Sequence, residues 1–251
     1  FSTTEFKVNS NNTVTMANGD INSGGSTYVS WNFAKSPKFF DVVTYTGNGG
    51  TPQNIAHSLG SVPGFIVVKP TSTTGGWICY HRSLTASGFN PAPYNTINLN
   101  STGSIMEDTG AWNSTAPTST LFSIGTDSAV NANTATYVAY CFAPVASYSS
   151  FGSYVGNGST DGVFVYTSMR PKFILIKASS ITSYWVIFDV ARNTYNVMTS
   201  QLWPNVSDAE NNTYGVLDAV SNGFKLRNTA AGWNDNGATY VAYLFAHDAG
   251  G

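Results

Sequence analysis

Three stretches alternate small or polar residues with large apolar ones on nearly the same letters: Thr27-Tyr28-Val29-Ser30-Trp31-Asn32-Phe33-Ala34, Thr136-Tyr137-Val138-Ala139-Tyr140-Cys141-Phe142-Ala143 and Thr239-Tyr240-Val241-Ala242-Tyr243-Leu244-Phe245-Ala246. Successive side chains of a strand point to opposite faces, so each stretch divides into two sets. One set is Val29/Trp31/Phe33, Val138/Tyr140/Phe142 or Val241/Tyr243/Phe245. Its constancy predicts the core-facing side. The other set holds Tyr28, Tyr137 or Tyr240, then small residues and one variable position, Asn32, Cys141 or Leu244. A repeat of this kind governs the fold reading and must be settled first.

The segments between these stretches recur in the same order. Phe40 to Thr46 reads as a strand ending in the turn Gly47-Asn48-Gly49-Gly50, answered by Tyr154-Val155-Gly156-Asn157-Gly158. Pro63-Gly64-Phe65-Ile66-Val67-Val68-Lys69 is answered by Pro171-Lys172-Phe173-Ile174-Leu175-Ile176-Lys177. The continuous apolar run in each predicts a strand covered on both faces. Trp77 to Arg82 matches Trp185 onward, which makes Trp77 and Trp185 equivalent core candidates. Thr96 to Leu99, Thr120 to Ile124 and Phe224 to Leu226 are further strands. Nowhere does a capped 3.6-residue period persist. The expected fold is all-β: two tandem β-sandwich repeats, residues 35–143 and 144–251, preceded by the tail of a truncated copy at 1–34. In that tail Phe6-Lys7-Val8 matches Phe224-Lys225-Leu226. Either an N-terminal portion once completed the copy, or the first full repeat borrows its strands. Short joints carrying Pro37 and Pro144 predict a fixed angle between neighbouring repeats, as in a rod.

Composition changes this picture in one respect. Only 10% of residues are charged and the net charge is −2, while Ser, Thr and Asn make up about a third of the chain. With 42% hydrophobic residues the chain has ample core material, so this is not disorder. It solvates itself with hydroxyls and amides, as suits an extracellular or virion surface. No basic run is present to neutralise nucleic-acid phosphates. No apolar stretch approaches the length of a membrane helix, and no signal peptide is visible.

Candidate chemistry is sparse. Cys79 and Cys141 read either as two buried thiols or as one disulfide peculiar to the first repeat. His57 and His81 have no nucleophile or acid at a telling spacing, and read as strand-end residues bonded to backbone. Glu107-Asp108 and Asp208/Glu210 are acid pairs that could be proposed for glycoside hydrolysis. They lie in polar loops and do not recur, so no enzyme activity and no cofactor is expected. Asn22, Asn131 and Asn234 precede the closing strands by five residues, with Asp20, Asp127 and Asp235 nearby. Calcium loops and Asx-turns are the two readings. Sequons occur at Asn11, Asn100, Asn113, Asn157, Asn205 and Asn211; this composition supplies most of them by chance, and glycosylation applies only to a suitable host. Trp112, Trp203 and Trp233 lie in polar loops and read as exposed rings for a neutral glycan or for a subunit interface.

The segment His57-Ser58-Leu59-Gly60-Ser61-Val62-Pro63-Gly64-Phe65-Ile66-Val67-Val68-Lys69, with the aromatic strand at Trp77 and the stretch Thr136 to Ala143, resembles a β-rich repeat of tailed-bacteriophage virion proteins. The second repeat keeps only Pro171 and the strand after it. The resemblance implies a virion-surface tail fibre or appendage, a homo-oligomer bound to other virion subunits and attaching to host glycan. It transfers no catalytic residues. A head decoration or filament-forming subunit that binds only its neighbours is the alternative.

Overall fold

The computed structural model describes residues 27–246. Phe1–Ala34 and Lys35–Gly251 form separate compact units. In the first, residues 27–34 have no regular secondary structure. Alternation alone therefore does not make the expected third strand. Phe6-Lys7-Val8, Asn11, Asp20 and Asn22 lie outside the described residues.

The second unit is all-β, with strands β1 (Phe40–Thr46), β2 (Gln53–Ala56), β3 (Phe65–Pro70), β4 (Ile78–His81), β5 (Asn95–Asn98), β6 (Met106–Glu107) and β7 (Leu121–Ile124), the single-turn helix α1 (Ser128–Asn131), and β8 (Thr136–Phe142). There follow β9 (Ser149–Val155), β10 (Phe164–Tyr166), β11 (Phe173–Ala178), β12 (Trp185–Asp189), β13 (Leu217–Val220), β14 (Gly223–Leu226) and β15 (Thr239–Phe245). All pairings are antiparallel. One sheet runs β1-β8-β3-β4-β5-β6 and another β9-β15-β11-β12, so the first four strands of each correspond in order. The small sheets β2-β7 and β10-β14-β13 correspond too. Register agrees: Phe142 lies opposite Phe65 as Phe245 lies opposite Phe173.

Each large sheet packs on its small sheet to make a sandwich, but with the face opposite to the one expected. Tyr137, Ala139, Cys141 and Ala143 belong to one core with Ile55, Phe122 and Ile124. Tyr240, Ala242, Leu244 and Ala246 belong to the other with Phe224 and Leu226. The alanines let the sheets approach, and each tyrosine spans the layer and ties its hydroxyl to the loop beyond. Tyr137 Oη donates to Ser128 O (3.0 Å) and accepts from Ala132 N (2.8 Å). Tyr240 Oη donates to Ala231 O (2.9 Å) and accepts from Asp235 N (2.8 Å). Both stack on a cross-strand partner, Tyr45 or Tyr154, with centroids 5.0 Å apart.

The Val241/Tyr243/Phe245 set of the second copy, with Phe142 of the first, faces the other copy instead. Phe65 meets Tyr243 at 4.4 Å, His81 meets Tyr243 at 4.6 Å, and Phe142 meets Phe245 at 5.4 Å. Trp185 is buried here and donates from Nε1 to Asn98 O (2.9 Å). Trp77, expected in the core, is only half-buried and stacks on Tyr140. The two sandwiches thus lie face to face within one compact unit, in place of an end-to-end rod. Apolar surface on both sides of the large sheets drives this arrangement.

The turn after β1 or β9 is fixed by one buried amide. Asn131 Oδ1 accepts from Asn48 N (2.9 Å) and Gln53 Nε2 (2.7 Å), while Nδ2 donates to Gly125 O (2.7 Å) and Thr51 O (2.9 Å). Asn234 Oδ1 accepts from Asn157 N (3.0 Å), and its Nδ2 lies near Ser159 O (2.9 Å), Asn228 O (3.0 Å) and Asn157 Oδ1 (3.1 Å). The backbone packs so closely here that a Cβ at Gly47 or Gly156 would collide with Ala132 O or Asp235 O. Truncating either amide strands several buried groups, each costing about 1–3 kcal/mol. Asn131→Ala and Asn234→Ala are therefore expected to lose at least about 3 kcal/mol in urea denaturation, against under about 0.5 kcal/mol for the exposed Asn133→Ala.

Candidate functional site

The structure separates the sequence candidates sharply. Trp112 and Trp233, expected to be exposed, are buried at 1% and 7%. Trp112 packs edge-on against Tyr80 and Trp233 against Phe188, and these partners are equivalent residues of β4 and β12. The two indoles fill matching places in the two cores although one precedes β7 and the other follows β14. Polar neighbours in sequence hid them, because an isolated ring in a loop can fold inward to plug a sandwich end. Trp203 alone keeps a half-exposed ring, 6.2 Å from Tyr184.

Asn131 and Asn234 make neither a calcium loop nor an Asx-turn, since their side chains lock the turns described above. Asp127 caps α1 by accepting from Ala129 N (3.0 Å). It also faces Asp108; burial and this neighbour hold the Asp108 carboxyl above the usual range. Asp235 is exposed and accepts from Asn236 N (3.1 Å). Among the described residues no three His, Cys, Asp or Glu side chains gather to hold a metal.

The acid pairs are not brought together for chemistry. Glu107 accepts from Asn90 Nδ2 (2.6 Å), whereas Asp108 binds Gly110 N (2.9 Å). Glu210 pairs with Arg192 (2.8 Å), which also holds Asp189 (2.7 Å), while Asp208 is exposed.

Both cysteines are free and buried. Cys79 lies opposite Val67 and Cys141 opposite Ile66. Val67 and Ile66 are consecutive in β3, so the thiols point to opposite faces and cannot bridge. Burial pushes the Cys79 thiol up, and the Cys141 thiol to about 12.

His57 accepts at Nδ1 from Leu59 N (3.3 Å) and donates from Nε2 to Thr118 O (3.2 Å), a backbone-bound strand end. His81 accepts at Nδ1 from Ser83 N (3.1 Å) and donates from Nε2 to Ala242 O (3.4 Å) of the second copy. Burial brings its pKa down to about 3. Lys177 lies in the same interface, donating to Ala178 O (2.8 Å) and Thr102 O (3.3 Å); burial lowers it to about 8.

Exposed aromatics concentrate on the second copy: Phe164, Tyr166, Tyr184, Tyr195 and Tyr214, against Phe89 and Tyr94 on the first. Phe164 (44% exposed) and Tyr166 (67%) share the outer face of β10. Opposite Tyr166 stands Gly223, which leaves that ring without a cross-strand side chain. Opposite Phe164 stands Lys225, paired with Asp161 (2.8 Å), and on the next strand Asp218 is paired with Arg227 (2.7 Å). This surface is aromatic, and its charges are neutralised in pairs. The run Val163-Phe164-Val165-Tyr166 carried its signal: a strand at the sheet edge with apolar residues at both parities has one set left over for the surface. A cleft of about 230 Å³ is lined by Asn98, Ser101, Gly103, Ser104 and Met106 of the first copy and Thr182 of the second.

Fold and surfaces together define an all-β protein of antiparallel sheets in a β-sandwich type of fold. The chain belongs to the family described as a domain of unknown function, DUF7483, which matches residues 1–248. No curated protein and no solved structure matches it.

The interface histidine gives a pH test. Its folded pKa of about 3 lies below the ordinary 6.5, so the unfolded chain binds more protons between those values. A proton at Nδ1 would also turn that acceptor into a donor facing Ser83 N–H. Stability is expected to be full above about pH 6.5 and to fall by a few kcal/mol toward pH 4. Urea titrations at both pH values should show His81→Phe flattening that slope. Lys177 acts at the other end: stability should rise between about pH 8 and 10.5 as the unfolded amine alone keeps its proton.

Proposed function

We propose that this chain is a virion structural protein of the tail fibre or surface appendage type that attaches to host-surface glycan. The observation that carries the attachment is the outer face of β10, where Phe164 and Tyr166 lie exposed beside ion-paired side chains. Sugar rings offer C–H faces to aromatic planes and hydroxyls to a polar rim, and a neutral glycan needs no net charge from its receptor. The virion assignment is supported by the resemblance of residues 57–69 and 136–143 to phage repeats and by a surface solvated with hydroxyls and amides.

A rigid scaffold suits this role. Each turn is pinned by a buried amide and the sandwiches support one another, so the surface is held ready and little ordering opposes binding. No described helix is long and apolar enough to cross a membrane.

Binding of the chain to immobilised host-envelope polysaccharide tests the proposal. Tyr166→Ala and Phe164→Ala are each expected to weaken it about tenfold, the equivalent of about 1.4 kcal/mol, with unchanged thermal unfolding. Absence of wild-type binding, or antibody labelling that places the protein away from the virion, would overturn it.

A further inference from the structure

The two copies share a sheet face in sequence, but among the described residues only one of these faces is fully buried. Register makes Lys69 equivalent to Lys177, Val138 to Val241, Tyr140 to Tyr243 and Trp77 to Trp185. Thr71 answers Ser179: both donate backbone N–H to the first residue of the closing strand, at Thr136 O and Thr239 O. In the second copy every one of these positions is buried. In the first, Thr71 is exposed and Lys69, Trp77, Val138 and Tyr140 are only half-buried.

What covers the second-copy face is a segment of the first copy. Besides His81 against Tyr243, Asn98 O receives the Trp185 indole (2.9 Å) and Thr102 O receives Lys177 (3.3 Å). Thr85 O accepts from Ser179 Oγ (2.8 Å), and Ile105 N donates to Ser179 O (2.9 Å). Residues 81–105 thus form the covering element. The contact is heterologous, because the second copy does not return it.

The counterpart of that element is also unused. Asn205 occupies the place of Asn100: their Oδ1 atoms accept from Trp185 N (3.0 Å) and Trp77 N (2.9 Å). The second-copy segment from Asp189 to Glu210 exposes Tyr195 at 82% and Val206 at 36%, with the half-buried Trp203 between them. Among the described residues, the unit therefore shows a receiving face left partly open, and a counterpart of the covering element whose Tyr195 and Val206 stay exposed.

We infer that chains associate head to tail, the 189–210 segment of one docking on the Lys69/Thr71/Trp77/Val138/Tyr140 face of another. The occupant is a second copy of this chain, since both halves of the contact already exist in it and their equivalents already fit together. A heterologous contact closes into a ring or continues as an open filament according to its rotation. This holds whether or not the surface binds glycan.

Sedimentation of the full chain tests it with two variants at exposed positions. Thr71→Arg blocks the receiving face, and Tyr195→Arg blocks the covering element. Wild type is expected to grow in mass with concentration beyond a dimer. Each variant alone should stay monomeric with unchanged circular dichroism. Mixed, they should form a one-to-one dimer and nothing larger, because one intact pairing remains between them. A wild type that stays monomeric at the highest reachable concentration overturns the inference. So do variants that still assemble alone, or a mixture that stays monomeric, as expected if the faces take some other partner.

Discussion

A buried amide that must find four partners is the constraint on which each sandwich rests. Asn131 and Asn234 sit where the turn after the first strand, the approach to the last strand and a third loop converge. An amide there offers two donors and two acceptor lone pairs, and burial makes leaving them empty costly. The backbone must come to the side chain, so the turn, its glycine and the stacked tyrosines are all positioned by that demand. Register in the large sheet follows, since Tyr45 lies opposite Tyr137 and Tyr154 opposite Tyr240 only when the turn is seated. Loops can then vary without disturbing the strands.

That tolerance is visible in how the copies have diverged. Each core receives an indole over the same strand, by a different route through the chain. The first copy ties its opening strand with Asp41, buried and paired with Lys35 (2.6 Å), where the second has Ser150. Burial alone would raise the Asp41 carboxyl, but Lys35 and the Ser58 amide outweigh it and hold it low. Similar architecture rests on different local chemistry.

Strand positions and their order could be read from the chain because alternation and turn residues are local signals. The dependence of the fold on the asparagines was half legible: their constancy stood out, but nothing local showed that an amide five residues before a strand would be buried. Alternation points to the wrong inward face of the closing strand for a physical reason. Both faces of Thr239–Phe245 are covered, one by a small sheet and one by the neighbouring copy, while Thr136–Phe142 brings only Phe142 to that contact, so the more apolar set marks the interface between copies. The sandwich core takes alanines and a tyrosine, a pattern that looks weaker by hydrophobicity. Trp112 and Trp233 lie buried against expectation because neighbours in sequence say little about where a lone ring in a loop will point. Phe164 and Tyr166 do not stand out in the sequence because an edge strand and a central one look alike until pairing is known.

The two thiols lie on opposite sides of one sheet, with separate seals above them. Cys141 is closed in by the first sandwich and Cys79 by the second copy. A slow alkylating reagent would therefore keep two clocks. Reaction at Cys79 would time the parting of the copies, and reaction at Cys141 the opening of a sandwich. The order in which they label would reveal whether the unit comes apart in one event or in two.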